Sequence, residues 1–215
     1  MRRGVCRQIL RRRQHLLQRR RPLQMQKRVL SSGKQNRPFN MRMDGVDRSA
    51  GKMRIVTDIN KLRKPCKPVS RETNLKKLYA KIGDAARLML KNNGCGLAAN
   101  QIGDDKQFII AVIEENDALK VRVFVNPTIV RHSEETNDDV EGCLSIPGKY
   151  GTVTRWNDIT VKHLSPAGYI TETYSGQNAR IIQHEVDHLN GIVCMDKAAD
   201  VFDAEDVPEE NEEAA

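Results

Sequence analysis

The chain has 215 residues, 39% of them hydrophobic and only 4% aromatic, with a formal net charge of +8. That length accommodates one ordinary domain with a substantial core, plus extensions. The charge is confined: residues 1–43 carry twelve Arg, two Lys and no acid, which leaves the rest at 22 basic against 28 acidic residues, so the net charge gives no ground for a nucleic-acid-binding face on the folded part.

The N-terminal 43 residues come first in chain order. They are Arg-rich and acid-free, with Ser31 and Ser32 and short apolar groups at Ile9–Leu10, Leu16–Leu17 and Val29–Leu30. This is the composition of an organellar transit peptide. The clusters Arg11–Arg13 and Arg19–Arg21 also suit an RNA or an import receptor. Arg richness with little Ser and Thr favours the mitochondrial matrix over the plastid stroma. No apolar run reaches the ~20 residues needed to cross a bilayer, so no membrane insertion is expected. The absence of an uncharged signal-peptide core argues against secretion. Residues 44–53 are predicted to be a linker and 54–199 the folded domain. The acidic run 200–215 is predicted to be a solvated, disordered tail.

The five cysteines, Cys6, Cys66, Cys95, Cys143 and Cys194, are widely spaced with no CxxC pair, so neither a disulfide framework nor a zinc-finger module is expected. Asn74–Lys91 carries Leu75, Leu78, Ile82, Ala85, Ala86 and Met89 at helical spacing and ends at Asn92-Asn93-Gly94. Phe108–Ile113 and Val121–Val125 are predicted strands. Asp158–His163 and Tyr169–Tyr174 are predicted to pair through the turn Ser165-Pro166-Ala167-Gly168. Ser175 then caps a helix running to about Asn190, with Gly191 just beyond it. Strands between two helices without βαβ alternation predict an α+β fold: antiparallel strands packed around a central C-terminal helix, plus an N-terminal helix.

That last helix contains His184-Glu185-Val186-Asp187-His188. Residues four apart share one face, so both imidazoles can reach one ion, with Glu185 beside a water on it. Two surface histidines would be the bland alternative. The apolar neighbours Ile181, Ile182, Val186 and Leu189 weigh against it. A catalytic site needs a third protein ligand. Downstream there are acids but no histidine; upstream, Glu141-Gly142-Cys143-Leu144-Ser145 offers a thiolate. A free Cys is most often a small buried hydrophobe. The residues alone therefore leave a metal-dependent hydrolase with a thiolate as third ligand, a zinc endopeptidase with a carboxylate or His as third ligand, and an RNA- or ribosome-binding protein all open. A third stretch, Gly94-Cys95-Gly96-Leu97-Ala98-Ala99-Asn100-Gln101, permits close backbone approach to a ligand and supplies a side-chain amide.

Together, Gly94–Gln101, Glu141–Ser145 and Gln183–Gly191 resemble the three motifs of the peptide deformylases, complete and in order. Leu62–Val69, Val125-Asn126-Pro127 and Ala179-Arg180 are also similar to that family, and Ser145–Tyr150 is most similar to its organellar, bacterial-type eukaryotic branch. The resemblance covers about 54–197 and departs at Asn100, where the family more often has Pro; a small loop effect is expected.

The resemblance implies removal of the formyl group from N-formylmethionyl nascent peptides, acting near the organellar ribosome with no specific nucleic acid. It implies Cys143, His184 and His188 as ligands of one divalent ion, Fe2+ first and Zn2+ second. Glu185 would be general acid/base, with the Gln101 amide and Leu144 N–H as oxyanion donors. Gly96 and Gly142 would hold the peptide backbone, with Cys95 near the substrate. Gln177 and Arg180 are expected to face the methionine pocket, with a helix-surface cation as the plain alternative for Arg180. Arg155 is expected to be a structural ion-pair partner, Trp156 half-buried packing and Cys194 a core cysteine; Asp187 has no assigned role.

Overall fold

The computed structural model describes residues 53–70 and 72–206. The basic segment 1–43, most of the linker 44–53 and the end of the acidic run fall outside the described residues. The elements in order are α1 (Ile59–Leu62), α2 (Leu75–Lys91), β1 (Gly96–Ala98), β2 (Phe108–Glu115), β3 (Ala118–His132), β4 (Thr136–Cys143), β5 (Ile146–Trp156), β6 (Asp158–Ser165), β7 (Gly168–Ser175), α3 (Gly176–Leu189) and β8 (Ala198–Asp203). Single 3-10 turns follow β1, at Ala99–Ile102, and precede β8, at Cys194–Asp196. The strands form two antiparallel sheets, one ordered β1-β2-β3-β6-β7 and the other β4-β5-β8. The architecture is α+β, as the sequence indicates.

Local chemistry accounts for the elements read from the sequence. Asn74 caps α2 by accepting the Lys77 N–H at 3.0 Å, and Leu78, Ile82, Ala85 and Met89 form its buried face. Asn93, at φ 57°, ends it in the left-handed region. The run Phe108–Val112 is buried throughout, because α3 packs on β2. Asn116 and Asp117, at φ 51° and 58°, make the tight hairpin turn to β3, which therefore starts earlier than the apolar run Val121–Val125 suggests. β6 and β7 pair from Asp158↔Ser175 to Ser165↔Gly168 around the expected turn.

The three-stranded sheet was not legible. Thr136–Val140 is polar with no apolar alternation, yet it pairs with β5 from Thr136↔Trp156 to Gly142↔Tyr150. Asp200–Asp203, expected in the solvated tail, instead closes this sheet, with Lys149↔Asp203 and Gly151↔Val201 in register. Main-chain hydrogen bonding drives that pairing, so the acidic side chains conceal it. Gly151 permits the approach: a Cβ there would meet the Ala198 Cβ at 2.6 Å.

Helix α3 is buried along Ala179–Leu189 and packs on β1, β2 and β7 while also touching β5 of the other sheet. Ser175 occupies the N-cap position without a side-chain capping bond. The far end is held firmly. Cys66 N–H donates to the Leu189 carbonyl at 2.8 Å, and the Asn100 amide donates to the carbonyls of His188 at 2.6 Å and Leu62 at 2.8 Å. These bonds supply side-chain and loop donors to carbonyls at the ends of α1 and α3, the His188 carbonyl also accepting the Gly191 N–H at 3.0 Å. Asn100 thus has more than the small loop effect expected of it: it ties the β1 loop to the end of the helix.

Candidate functional site

The site forms where α3 faces the end of β4. His184 and His188 are one turn apart on α3, with ring centroids 5.0 Å apart. Cys143 is the last residue of β4, at the tight turn through Leu144 and Ser145 into β5, and pairs with Ile146. Its Sγ lies 3.2 Å from His188 Nε2. The ligand atoms of Cys143, His184 and His188 all lie within 4.8 Å of one another, a spacing that could hold a metal ion. This is the only such group of His, Cys, Asp and Glu side chains among the described residues.

Strand alternation supplies the next layer. Glu141 is two residues before Cys143, on the same face of β4. Its Oε2 bonds His184 Nδ1 at 2.8 Å, which leaves the other ring nitrogen, Nε2, for an ion. Glu141 also accepts two hydrogen bonds from Arg155 at 2.9 Å and one from Arg180 at 2.8 Å. Against the cost of burial, Arg155 and then His184 hold its carboxyl well below the usual carboxylate range. Arg155 continues to Asp187, which also accepts Lys197 Nζ at 2.8 Å. Arg155 is thus the ion-pair partner expected, and Asp187 is a buried member of the same network. Arg180 matches neither expectation: its guanidinium is buried on Glu141, the Val153 carbonyl and Asn137, and does not face a methionine pocket. Gln177 is half-buried in the first turn of α3.

The β1 loop closes the other side. The Gln101 Oε1 accepts the Ala98 N–H at 2.7 Å, which turns Nε2 toward Cys143 Sγ at 3.4 Å and Ser145 Oγ at 3.2 Å. Gly96 lies directly on Glu185: a Cβ there would sit 2.7 Å from the carboxyl carbon. Glu185 is 3% exposed, and its Oε2 has no hydrogen-bond partner. Burial pushes its carboxyl up to about 7, with His184 and His188 opposing. A buried, unpartnered carboxylate oxygen beside a three-donor cluster is what a site built around a cation and a water would contain. The soft thiolate and two imidazoles suit iron or zinc.

The remaining expected residues are placed as follows. Leu144 lies in the turn, half-buried, with its Cδ1 filling the space a Gly94 Cβ would need. Gly142 is exposed and backed by the Tyr150 ring, which a Cβ would meet at 2.7 Å. Cys95 is half-buried, its carbonyl accepting the Val112 N–H at 2.7 Å. Trp156 is half-buried and stacks on His132 with centroids 3.9 Å apart. Cys194 is buried as expected, and opens the 3-10 turn that packs on β4. The Cys194 thiol, ahead of the opposing cost of burial, holds the Cys143 sulfur well below the usual thiol range, with His184 and His188 adding to it. Sequence reasoning missed the roles of Glu141, Asp187, Asn100, Ser145 and Cys194. The alternation Glu141–Cys143 was the available signal, had β4 been recognised.

An α+β scaffold that gathers a Cys-His-His donor set with a buried carboxylate and an amide is a site of the metallohydrolase class. The family model for polypeptide deformylase matches residues 52–202, and the chain belongs to that family. It is accordingly a hydrolase, of a family of metalloenzymes that remove the N-formyl group from nascent peptides. The peptide deformylase of Natranaerobius thermophilus is 40% identical over 146 residues, covering 67% of this chain and 89% of the relative. Among solved structures, the Thermotoga maritima peptide deformylase is 33% identical, with a TM-score of 0.63 over 70% of this chain and 100% of its own. A class I type b peptide deformylase from Acinetobacter baumannii, solved with Met-Ala-Ser bound, is 35% identical, with a TM-score of 0.61 over 67% of this chain and 97% of its own.

Proposed function

We propose that this chain is a metal-dependent deformylase acting on N-formylmethionyl peptides in the mitochondrial matrix. The carrying observation is the convergence of Cys143, His184 and His188 with the unpartnered Glu185 oxygen and the Gln101 amide. Cys143, His184 and His188 hold one divalent ion, Fe2+ first and Zn2+ second. When bound, that ion supplies Lewis-acid activation of water and of the formyl carbonyl.

The chain's own groups do the rest. Glu185 takes a proton from the attacking water and returns it to the leaving amine, a task suited to a carboxyl pushed toward neutral pH. The Gln101 Nε2 donates to the developing oxyanion, and the Leu144 N–H is the second donor. One such donor is typically worth about 3 kcal/mol. The backbones of Gly96 and Gly142 pair with the extended peptide, beside Cys95. Binding of a methionine-first tripeptide by the Acinetobacter relative supports a peptide substrate with methionine at its start.

The Arg-rich, acid-free composition of residues 1–43 supports the matrix, where formylated chains leave the organellar ribosome. Fusing residues 1–43 to a fluorescent protein tests this; plastid or diffuse cytosolic signal overturns the matrix assignment. The activity is tested by formyl-Met-Ala turnover on iron-loaded protein prepared without air. Release of formate is expected, and no turnover under those conditions refutes the reading.

A further inference from the structure

Ser145 takes no part in the reaction proposed above, yet its hydroxyl is bonded to the group that does. Gln101 lies in the 3-10 turn Ala99–Ile102, 1% exposed, with its main-chain carbonyl accepting the Val56 N–H at 2.8 Å. The Ala98 N–H can only donate, so the side-chain atom 2.7 Å from it is Oε1 and the remaining one is Nε2. Nε2 carries two hydrogens and has two partners: the Cys143 sulfur at 3.4 Å and Ser145 Oγ at 3.2 Å. Ser145 is itself 1% exposed and stands in the turn from β4 to β5, two residues past Cys143. Cys143 pairs with Ile146 across that turn, so one hairpin carries both the sulfur and the hydroxyl. A single bond at Oε1 would let the amide pivot about it. The second bond, at Nε2, fixes the plane.

We infer that Ser145 is a positioning residue for the oxyanion donor. Its hydroxyl oxygen accepts one N–H of the Gln101 amide, so that the other is presented on the Cys143 side. The inference rests on the donor role proposed for Gln101, and Ser145 acts through that amide alone. Without the hydroxyl, one N–H of a buried amide loses its acceptor. The amide then turns toward another acceptor and carries the second N–H with it. The cost falls where the oxyanion develops and not on binding, so kcat should drop while KM stays at the parent's value.

The test is a double-variant cycle in formate release from a formyl-Met peptide, at equal metal content per chain. Ser145→Ala should lower kcat about tenfold, the scale of one lost hydrogen bond. Ser145→Cys keeps the shape with a weak acceptor and should behave likewise. Gln101→Ala should lower kcat about a hundredfold or more. In the Gln101→Ala background, either Ser145 change should cost nothing further. An equal fold loss in both backgrounds overturns the inference. The amide is also followed without turnover, as the side-chain nitrogen-15 signal that Gln101→Ala removes from the zinc-loaded protein. Its protons should exchange with solvent faster in Ser145→Ala than in the parent; unchanged exchange overturns the inference as well. A parent that releases no formate, with amide exchange still set by Ser145, would uphold the positioning role and sink the deformylase reading.

Discussion

The two sheets meet at the site but are held together by different physics. On the five-stranded side the packing is apolar and fully buried: Phe108, Ile109, Ile110, Ile113 and Phe124 of the sheet and Ile182 of α3 are each at most 1% exposed. On the three-stranded side, the contact with α3 is ionic, with Glu141 bonded to Arg155, Arg180 and His184, and Arg155 passing on to Asp187. Apolar burial is strong but tolerant of small shifts. A buried ionic network is costly to desolvate and directional, so it contributes orientation more than net stability. The contrast suggests a division of labour: the apolar half keeps α3 in place, and the ionic half aims His184 and Cys143.

Substitutions that separate the halves sharpen this contrast. The largest effect is expected from Glu141→Ala, which removes the carboxylate shared by two buried guanidinium groups and His184 Nδ1. Denaturant unfolding should show a loss of about 3–5 kcal/mol, and zinc affinity should fall with it. Ile110→Ala, on the apolar half, should cost about 2–4 kcal/mol by the same measurement while leaving zinc affinity per folded molecule near the parent's. If Ile110→Ala weakens zinc binding as much as Glu141→Ala does, the division of labour is wrong. Gly96→Ala should leave stability almost unchanged but push Glu185 aside, reducing kcat about a hundredfold. Asn100→Ala leaves the carbonyls of His188 and Leu62 without this donor and should cost about 1–3 kcal/mol in thermal unfolding. The smallest effect belongs to Lys197→Met: its pair with Asp187 is partly solvated, at 41% exposure, so less than about 1 kcal/mol is expected.

The same division explains what the sequence could reveal. The apolar half was legible because helical spacing in Asn74–Lys91 and continuous apolar runs such as Phe108–Ile113 are direct signatures of burial. The donor set was legible because His184 and His188 are one helical turn apart and Cys143 lies in a motif similar to the family's. The ionic half was not. β4 carries Asn137, Asp138 and Asp139, which read as loop, and β8 carries Asp200 and Asp203, which read as a solvated tail. Their strands are stabilised by main-chain pairing, to which side-chain composition is blind. Arg180 was read toward a methionine pocket or as a helix-surface cation, and Asp187 had no assigned role, because their partners lie on strands distant in sequence. Asn100 needed three dimensions too: it meets its partners only across fold contacts.

The central claim is that Glu185 moves the proton at a centre held by Cys143, His184 and His188. It is tested most directly by formate release from a formyl-Met peptide, parent against Glu185→Gln, at equal metal content per chain. The expected result is that the variant binds metal as the parent does and loses at least about a hundredfold in kcat. Equal turnover by the two proteins at equal metal content would contradict it.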